Sequence, residues 1–280
     1  MNRFFLALFL LLSFPAAADV LVDIPYGPEN LQKLDVYTPA HCPEAGCPVV
    51  LFIHGGGWRT GDKANENCVS AARAFSSRGV IFINANYRLT PAVHHPAHVE
   101  DVATAINWAW NNIAQYGGNK ARLFVMGHSA GAHLAALVAT DPRHLEQHNL
   151  KPTDLAGVIP VDGANYDLVE RRGADRFLNR WINDAFGADA ADASPLNHVS
   201  PEGHYPPFLI AAASVRHLAV KQSRELAGEL QKAGNGADVL VVDYATKRSE
   251  LAAHMQIMDD LSNPRHAMTE RILAFIGAEK

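Results

Sequence analysis

The stretch Arg122-Leu123-Phe124-Val125-Met126-Gly127-His128-Ser129-Ala130-Gly131 runs from an apolar segment through a glycine-framed serine into a segment of small apolar residues, 130–140. The apolar segment suits a strand covered on both faces, and the small-residue segment suits a helix buried all round. Gly-x-Ser-x-Gly between them has the form of a nucleophile elbow, a sharp strand-to-helix turn that exposes the serine Oγ. The glycines at 127 and 131 are needed because such a turn leaves no room for larger side chains. Serine is a weak nucleophile by itself, so Ser129 requires a base within hydrogen-bond reach.

Upstream, a second apolar run, residues 48–53, ends at His54-Gly55-Gly56-Gly57-Trp58. A glycine loop in that position offers backbone N–H groups to an oxyanion, each stabilising it by a few kcal/mol. The candidate donors are the amides of Gly56, Gly57 and Ala130. Three glycines in a row also make a plain flexible turn, but the strand before them and the serine motif after them favour the oxyanion reading. Further strand-like runs fall at 79–85, 155–161, 207–213 and 238–242, with helical patterns at 99–114, 220–233 and 269–276. Such alternation predicts an α/β fold, a mostly parallel doubly wound sheet with helices on both faces. Its ligand site belongs at the carboxyl ends of the strands, where both motifs fall. Residues 20–24 and 31–37 read as an edge hairpin. Residues of about 165–205 interrupt the alternation and carry Arg171, Arg172, Arg176, Phe177, Trp181 and Phe186. They are expected to form a small cap-like helical insert within a single domain, 19–280; an ordinary long loop with a surface helix is the alternative.

Composition narrows the classes. The 280 residues are 48% hydrophobic and 19% charged, enough apolar material for a large core. A formal charge of −5 without a basic run leaves nucleic acid no electrostatic footprint. Residues 1–18 combine Arg3, an apolar run at 4–12 and Ala16-Ala17-Ala18, the pattern of a signal peptide cleaved before Asp19. Export to the periplasm or medium follows, with no membrane association after cleavage, since the run is well short of the ~20 residues a spanning helix needs. An oxidising compartment permits a disulfide between Cys42 and Cys47, and Cys68 is expected to be a small buried side chain of a helix. His94, His95, His98 and Glu100 lie in and after a proline-stiffened loop and show no four-ligand spacing, so no metal is expected.

In this type of fold the partners of the serine follow in the order acid, then histidine. His254 is the expected base, because it follows the last strand by a short loop. His266 competes, but Asn263-Pro264 before it marks it as the start of the final helix.

The stretches Pro48 to Trp58, Asn84 to Leu89, Pro96 to Asp101 and Tyr116 to Leu134 together resemble the esterase/lipase group of the α/β-hydrolase superfamily. More narrowly, they are similar to bacterial carboxylesterases related to the feruloyl/acetyl-xylan esterases and to kynurenine formamidase. Ser194-Pro195, Pro207-Phe208 and the region of His254 extend the resemblance over nearly the whole chain after residue 18. It implies an α/β-hydrolase fold, Ser129 as nucleophile, His254 as base, and Gly56, Gly57 and Ala130 around the oxyanion. It also implies a small-molecule carboxylic ester as substrate, an acyl-enzyme intermediate and no cofactor. Arylformamide hydrolysis and removal of acetyl or feruloyl groups from polysaccharide are the alternatives; export disfavours the formamidase, whose metabolism is intracellular in the resembling enzymes.

One position departs from the family pattern. The acid of the resembling enzymes lies after the run 207–213, shortly before a pair like Gln222-Ser223. Here the loop reads Ala213-Ser214-Val215-Arg216-His217-Leu218-Ala219-Val220, with Val215 at the acid position and no carboxylate. The acid holds the imidazole in the productive tautomer, and its loss can cost about 10⁴ in kcat. Asp162, at the end of the preceding strand, is the preferred replacement because a third group must orient the base. Asp243 and Glu250 are alternatives. A chain with no acid at all would be a weakly active hydrolase or a ligand-binding protein.

Overall fold

An antiparallel pair, β1 (Val20–Pro25) and β2 (Lys33–Tyr37), opens the chain, followed by β3 (Cys47–Ile53), α1 (Glu66–Ser76), β4 (Ile81–Ala85) and α2 (Ala97–Asn112). The long strand β5 (Gly118–His128) leads directly into α3 (Ala130–Thr140), and α4 (Pro142–Glu146) and β6 (Gly157–Val161) follow. Two helices, α5 (Leu168–Ala174) and α6 (Arg176–Phe186), and two short 3-10 turns fill the interval before β7 (Phe208–Ala213). The chain closes with α7 (His217–Lys232), β8 (Ala237–Val242), α8 (Glu250–Leu261) and α9 (Ala267–Ile276). This computed structural model describes residues 19–174, 176–246 and 249–278, without the side chains of 172–178. The signal-peptide expectation for residues 1–18 lies outside the described residues.

The eight strands form one sheet in the order β1-β2-β4-β3-β5-β6-β7-β8, antiparallel at β1, β2 and β4 and parallel from β4 to β8. Strands β3, β4, β6 and β7 are buried at every residue, as parallel strands covered on both faces must be. The pleat sends Val49, Leu51 and Ile53 to one face, against α2, α3 and α7. It sends Val50 and Phe52 to the other, against α1, α8 and α9. Helix α3 is buried at all eleven residues, which accounts for its run of alanine, glycine and leucine. Helix α2 ends in a 3-10 turn at Ile113–Tyr116, stopped by Gly117 in the left-handed conformation.

Cys42 and Cys47 are joined in a disulfide at the start of β3, and Cys68 is a buried free thiol on α1. Helix α8 was not among the helices expected from the sequence, although a short loop does separate it from the last strand. Ser249 caps the helix by accepting the Ala252 N–H at 3.1 Å, and His254 lies one turn inside it. Among the described residues, no helix is long and apolar enough to cross a membrane.

Candidate active site

Ser129 stands between β5 and α3 with φ 56° and ψ −115°, a left-handed conformation that a residue with a Cβ adopts only under constraint. The constraint comes from both sides. The Ser129 N–H donates to the Val161 carbonyl at 3.0 Å, and its carbonyl accepts the His133 N–H at 3.2 Å. The glycines that frame it are held by close approach: a Cβ on Gly131 would come within 2.0 Å of the Ile53 carbonyl oxygen, and one on Gly127 within 2.2 Å of the Gly131 oxygen. Only glycine lets α3 start this close to β3.

The His254 Nε2 lies 3.0 Å from the Ser129 Oγ, and its Nδ1 lies 2.6 Å from the Asp162 Oδ2. Asp162 follows β6 directly, with φ 53° and no exposed surface. β6 neighbours β5, so Asp162 comes from the strand beside that of Ser129. The end of β7 holds it: the Ala213 N–H donates to Oδ1 at 3.0 Å, and the Arg216 Nη1 donates to Oδ2 at 2.6 Å and to the Asp162 carbonyl at 2.7 Å. The same Nη1 is 2.8 Å from the His254 Nδ1. Burial alone would raise the Asp162 pKa, but the His254 hydrogen bond and the Arg216 charge outweigh it and hold the carboxyl well below its usual range. The other carboxylates considered are elsewhere. Asp243 accepts from Ser214 and the Ala245 N–H, and Glu250 begins α8 at the surface. Val215 packs against the apolar core, and His266 caps α9 through the Met268 N–H.

Burial lowers the His254 pKa from its ordinary 6.5; the Asp162 hydrogen bond works the other way, and the nearby Arg216 and Arg171 charges lower it further. His128, the residue before the serine, stacks on His254 at 4.5 Å and donates from Nε2 to the His254 carbonyl at 3.2 Å. Burial and the neighbouring His254 push the His128 pKa far down, so a neutral imidazole stacks on His254.

The glycine loop is positioned with equal care. Gly56 and Gly57 have φ 117° and 60°, and a Cβ on Gly57 would meet the Trp181 ring at 2.2 Å. Neither amide has a backbone acceptor among the described residues. The Ala130 N–H, in the first turn of α3, lies among the donors that a helix leaves without an internal partner. Trp58 fixes the loop from below: its Nε1 donates to the His133 Nδ1 at 3.2 Å, and the His133 Nε2 donates to the Ala193 carbonyl at 2.7 Å. Loop, elbow helix and insert are thus tied in one chain of bonds. Phe186 adds edge contacts to Trp58 and His133 at 4.8 and 5.2 Å, and Arg59 pairs with Asp184 of α6 at 2.9 Å.

These groups open on a cleft of about 1060 Å³, lined at its centre by Ser129, His254 and the glycine loop. Trp181 of the insert lines one part, and Leu251, Met255 and Met258 of α8 another. His94, His95 and His98 are not gathered into a metal-binding group; they bond separately to the Asp184 carbonyl, Asp192 and Thr90. Among the described residues, the group with ligand-like spacing is His128, Asp162 and His254, whose polar atoms the bonds above already use. Ser129, His254, Asp162 and the three amides expected from the sequence are brought together here, and Arg216 and His128, which the sequence did not single out, bond to the same group. Neither has a signature, because each acts through a partner more than 35 residues away.

The BD-FAE family profile matches residues 34–230, about 70% of the chain. The chain belongs to the BD-FAE family. Among curated proteins it is similar to "Esterase LipC" of Mycobacterium tuberculosis, 32% identical over 242 residues, covering 77% of this chain and 59% of that protein. "Esterase LipQ" of the same organism is 33% identical over 228 residues, covering 76% and 53%. The chain therefore spans between half and two thirds of the length of these relatives. Among solved structures, Esterase B from Lactobacillus Rhamnosis aligns with TM-score 0.70 at 21% identity, covering 91% of this chain and 90% of that one. The propionate-bound Est2 esterase of Thermogutta terrifontis aligns with TM-score 0.67 at 23% identity, covering 93% and 95%. At these identities the likeness carries the fold, which is the α/β-hydrolase fold.

Proposed function

We propose that this BD-FAE member is a serine esterase that hydrolyses carboxylic esters through an acyl-enzyme on Ser129. The observation that carries the reading is the unbroken run from the Ser129 Oγ through His254 to a buried, ionised Asp162. The Ser129 Oγ attacks the ester carbonyl carbon while the His254 Nε2 takes the hydroxyl proton. The amides of Gly56, Gly57 and Ala130 hold the resulting oxyanion, each worth about 10²–10³ in rate. Collapse expels the alcohol, which takes the proton from the His254 Nε2, and a water molecule repeats the sequence on the acyl-enzyme. Asp162 stays ionised throughout, accepting the Nδ1 proton and stabilising the imidazolium. The esterases among the relatives support this chemistry.

Leu251 and Met255 flank His254 on the cleft face of α8 while 69% and 51% exposed, which supports an ester bearing an apolar group. We propose export as well, supported by the leader-like residues 1–18 and by the Cys42–Cys47 bridge. Hydrolysis of p-nitrophenyl acetate by the native protein and by Ser129→Ala tests the main reading. The variant should lose at least about 10³ in kcat; equal rates would contradict an esterase built on Ser129.

A further inference from the structure

The loop between β7 and α7 has no carboxylate, yet it reaches the catalytic machinery through Arg216. We propose that Arg216 is a positioning residue of the triad: its guanidinium clamps the Asp162 carboxylate in line with His254, so that an acid following β6 can serve this base. The inference rests on the reading of Ser129, His254 and Asp162 as the reacting set.

The geometry is specific. Asp162 has two carboxylate oxygens and each has its own partners. Oδ1 accepts the Ala213 N–H, and Oδ2 accepts both the Arg216 Nη1 and the His254 Nδ1, each at 2.6 Å. The Arg216 Nη1 also donates to the Asp162 carbonyl at 2.7 Å, so the backbone of the acid is gripped along with its side chain. Only 12% of the Arg216 side chain is exposed, so little water screens the pair. A left-handed backbone at a residue with a Cβ persists only where its surroundings hold it. Without Arg216, one N–H, from Ala213, remains to oppose rotation of the carboxylate away from the imidazole.

The second consequence follows from sharing Oδ2. The Arg216 Nη1 lies 2.8 Å from the His254 Nδ1, and two donors at that distance are compatible only while the carboxylate lies between their protons. If the acceptor were lost, Arg216 would donate to Nδ1 itself. The imidazole proton would then move to Nε2, the nitrogen that must be bare to accept from Ser129. Arg216 therefore makes the triad depend strictly on Asp162. Its charge also opposes the imidazolium. The groups facing His254 are Asp162 after β6, Arg216 before α7, His128 and Ser129 at the elbow, and Arg171 of α5; Glu250, one turn earlier on α8, is at the surface. Removing one of the two cations in that set should make His254 easier to protonate.

The test compares native protein, Arg216→Met, Arg216→Lys and Ser129→Ala on p-nitrophenyl butyrate from pH 5 to 9, with a thermal melt of each. Arg216→Met keeps the bulk of the stem and removes donor and charge. It should lose 10- to 100-fold in kcat with KM within about twofold, and the acidic limb of kcat/KM should move up by about one pH unit. Arg216→Lys, which keeps the charge without the forked donor, should recover the native limb and part of kcat. Native kcat and limb in Arg216→Met would overturn the proposal. So would a rise in KM with kcat and limb unmoved, which would make Arg216 a substrate contact. If Arg216→Met does not fold, Arg216→Lys decides: reduced kcat at native KM supports the role, and fully native kinetics overturn it. Ser129→Ala separates the two layers. If it is as active as the native protein, both readings fall; if it is inactive while Arg216→Met is native-like, only the role of Arg216 falls.

Discussion

Three residues far apart in sequence meet within hydrogen-bond distance, and the atoms they present define what each can do. His254 is buried and lies near two arginines, so its pKa sits below 6.5 even with Asp162 beside it. A base must be neutral to act. The acidic limb of kcat/KM should therefore fall below pH 6.5, activity being lost as pH drops through the His254 pKa; a pH profile of ester hydrolysis checks this. Asp162→Asn should lower kcat by about 10³–10⁴ and also lower the melting temperature, because an amide cannot reward the Nδ1 proton, Arg216 can donate to a bare Nδ1, and the buried Arg216 charge loses its partner. An unchanged kcat would remove Asp162 from the machinery. Ser129, His254 and the amides of Gly56, Gly57 and Ala130, the proposed nucleophile, base and oxyanion donors, were singled out in the sequence because local motifs and chain order mark them. Asp162 was only the preferred candidate beside Asp243 and Glu250, suggested by the empty position at Val215 and by its own place at the end of a strand. Arg216 was not legible, since nothing local distinguishes an arginine that meets a carboxylate 54 residues away.

At the scale of elements, the strands were easiest to read, because parallel strands buried on both faces leave continuous apolar runs. Helix α8 was harder. It carries two apolar stripes, Ala253, Ile257 and Leu261 toward the core and Leu251, Met255 and Met258 toward the cleft. Polar and apolar positions therefore do not alternate cleanly around it, although the Ser249 cap was present in the sequence. The insert was legible as a break in the alternation. Its docking was not, because Trp181 meets Gly57 from 124 positions away and Phe186 meets Trp58 through shape alone. The junction of β5 and α3 makes the clearest element-level prediction. In an open helix, Gly131→Ala would stabilise by up to about 1 kcal/mol. Here the new Cβ would lie 2.0 Å from backbone of β3 that cannot move aside, and strain of about 1–3 kcal/mol or more outweighs that gain. The melting temperature should drop by roughly 5–10 °C and activity should fall further than stability does. A variant as stable and active as the native protein would mean that α3 does not press on β3 as described.

Over the whole molecule, stability should depend on pH through histidines that fold in the neutral state. His98 packs without exposed surface behind the cleft, with a pKa lowered by burial to about 4, and His133 beneath the elbow is lowered by burial to about 3. An unfolded histidine titrates near 6.5, so between pH 6.5 and 4 the unfolded chain binds more protons than the folded one, and stability falls as pH falls. By pH 5 each group costs about 2 kcal/mol, a sizeable share of a stability on the order of 5–15 kcal/mol. Asp141 and Asp162, both held below the usual carboxylate range, withdraw their contributions only below about pH 4. Thermal melts at intervals from pH 7.5 to 4.5 should show the decline starting near 6.5, and a flat profile would contradict neutral burial. His133 joins the Trp58 of the glycine loop to the Ala193 of the insert, so acid should loosen the same bonds that hold the proposed oxyanion loop.

In the proposed mechanism the Ser129 Oγ accepts the acyl group, and covalent trapping tests this most directly. The native protein should be treated with a p-nitrophenyl alkylphosphonate, digested and analysed by mass spectrometry. One adduct per chain is expected, on the peptide that carries Ser129, appearing in step with the loss of esterase activity and more slowly in Asp162→Asn. Loss of activity with the adduct on another residue, or full activity in a protein whose Ser129 is quantitatively modified, would contradict it.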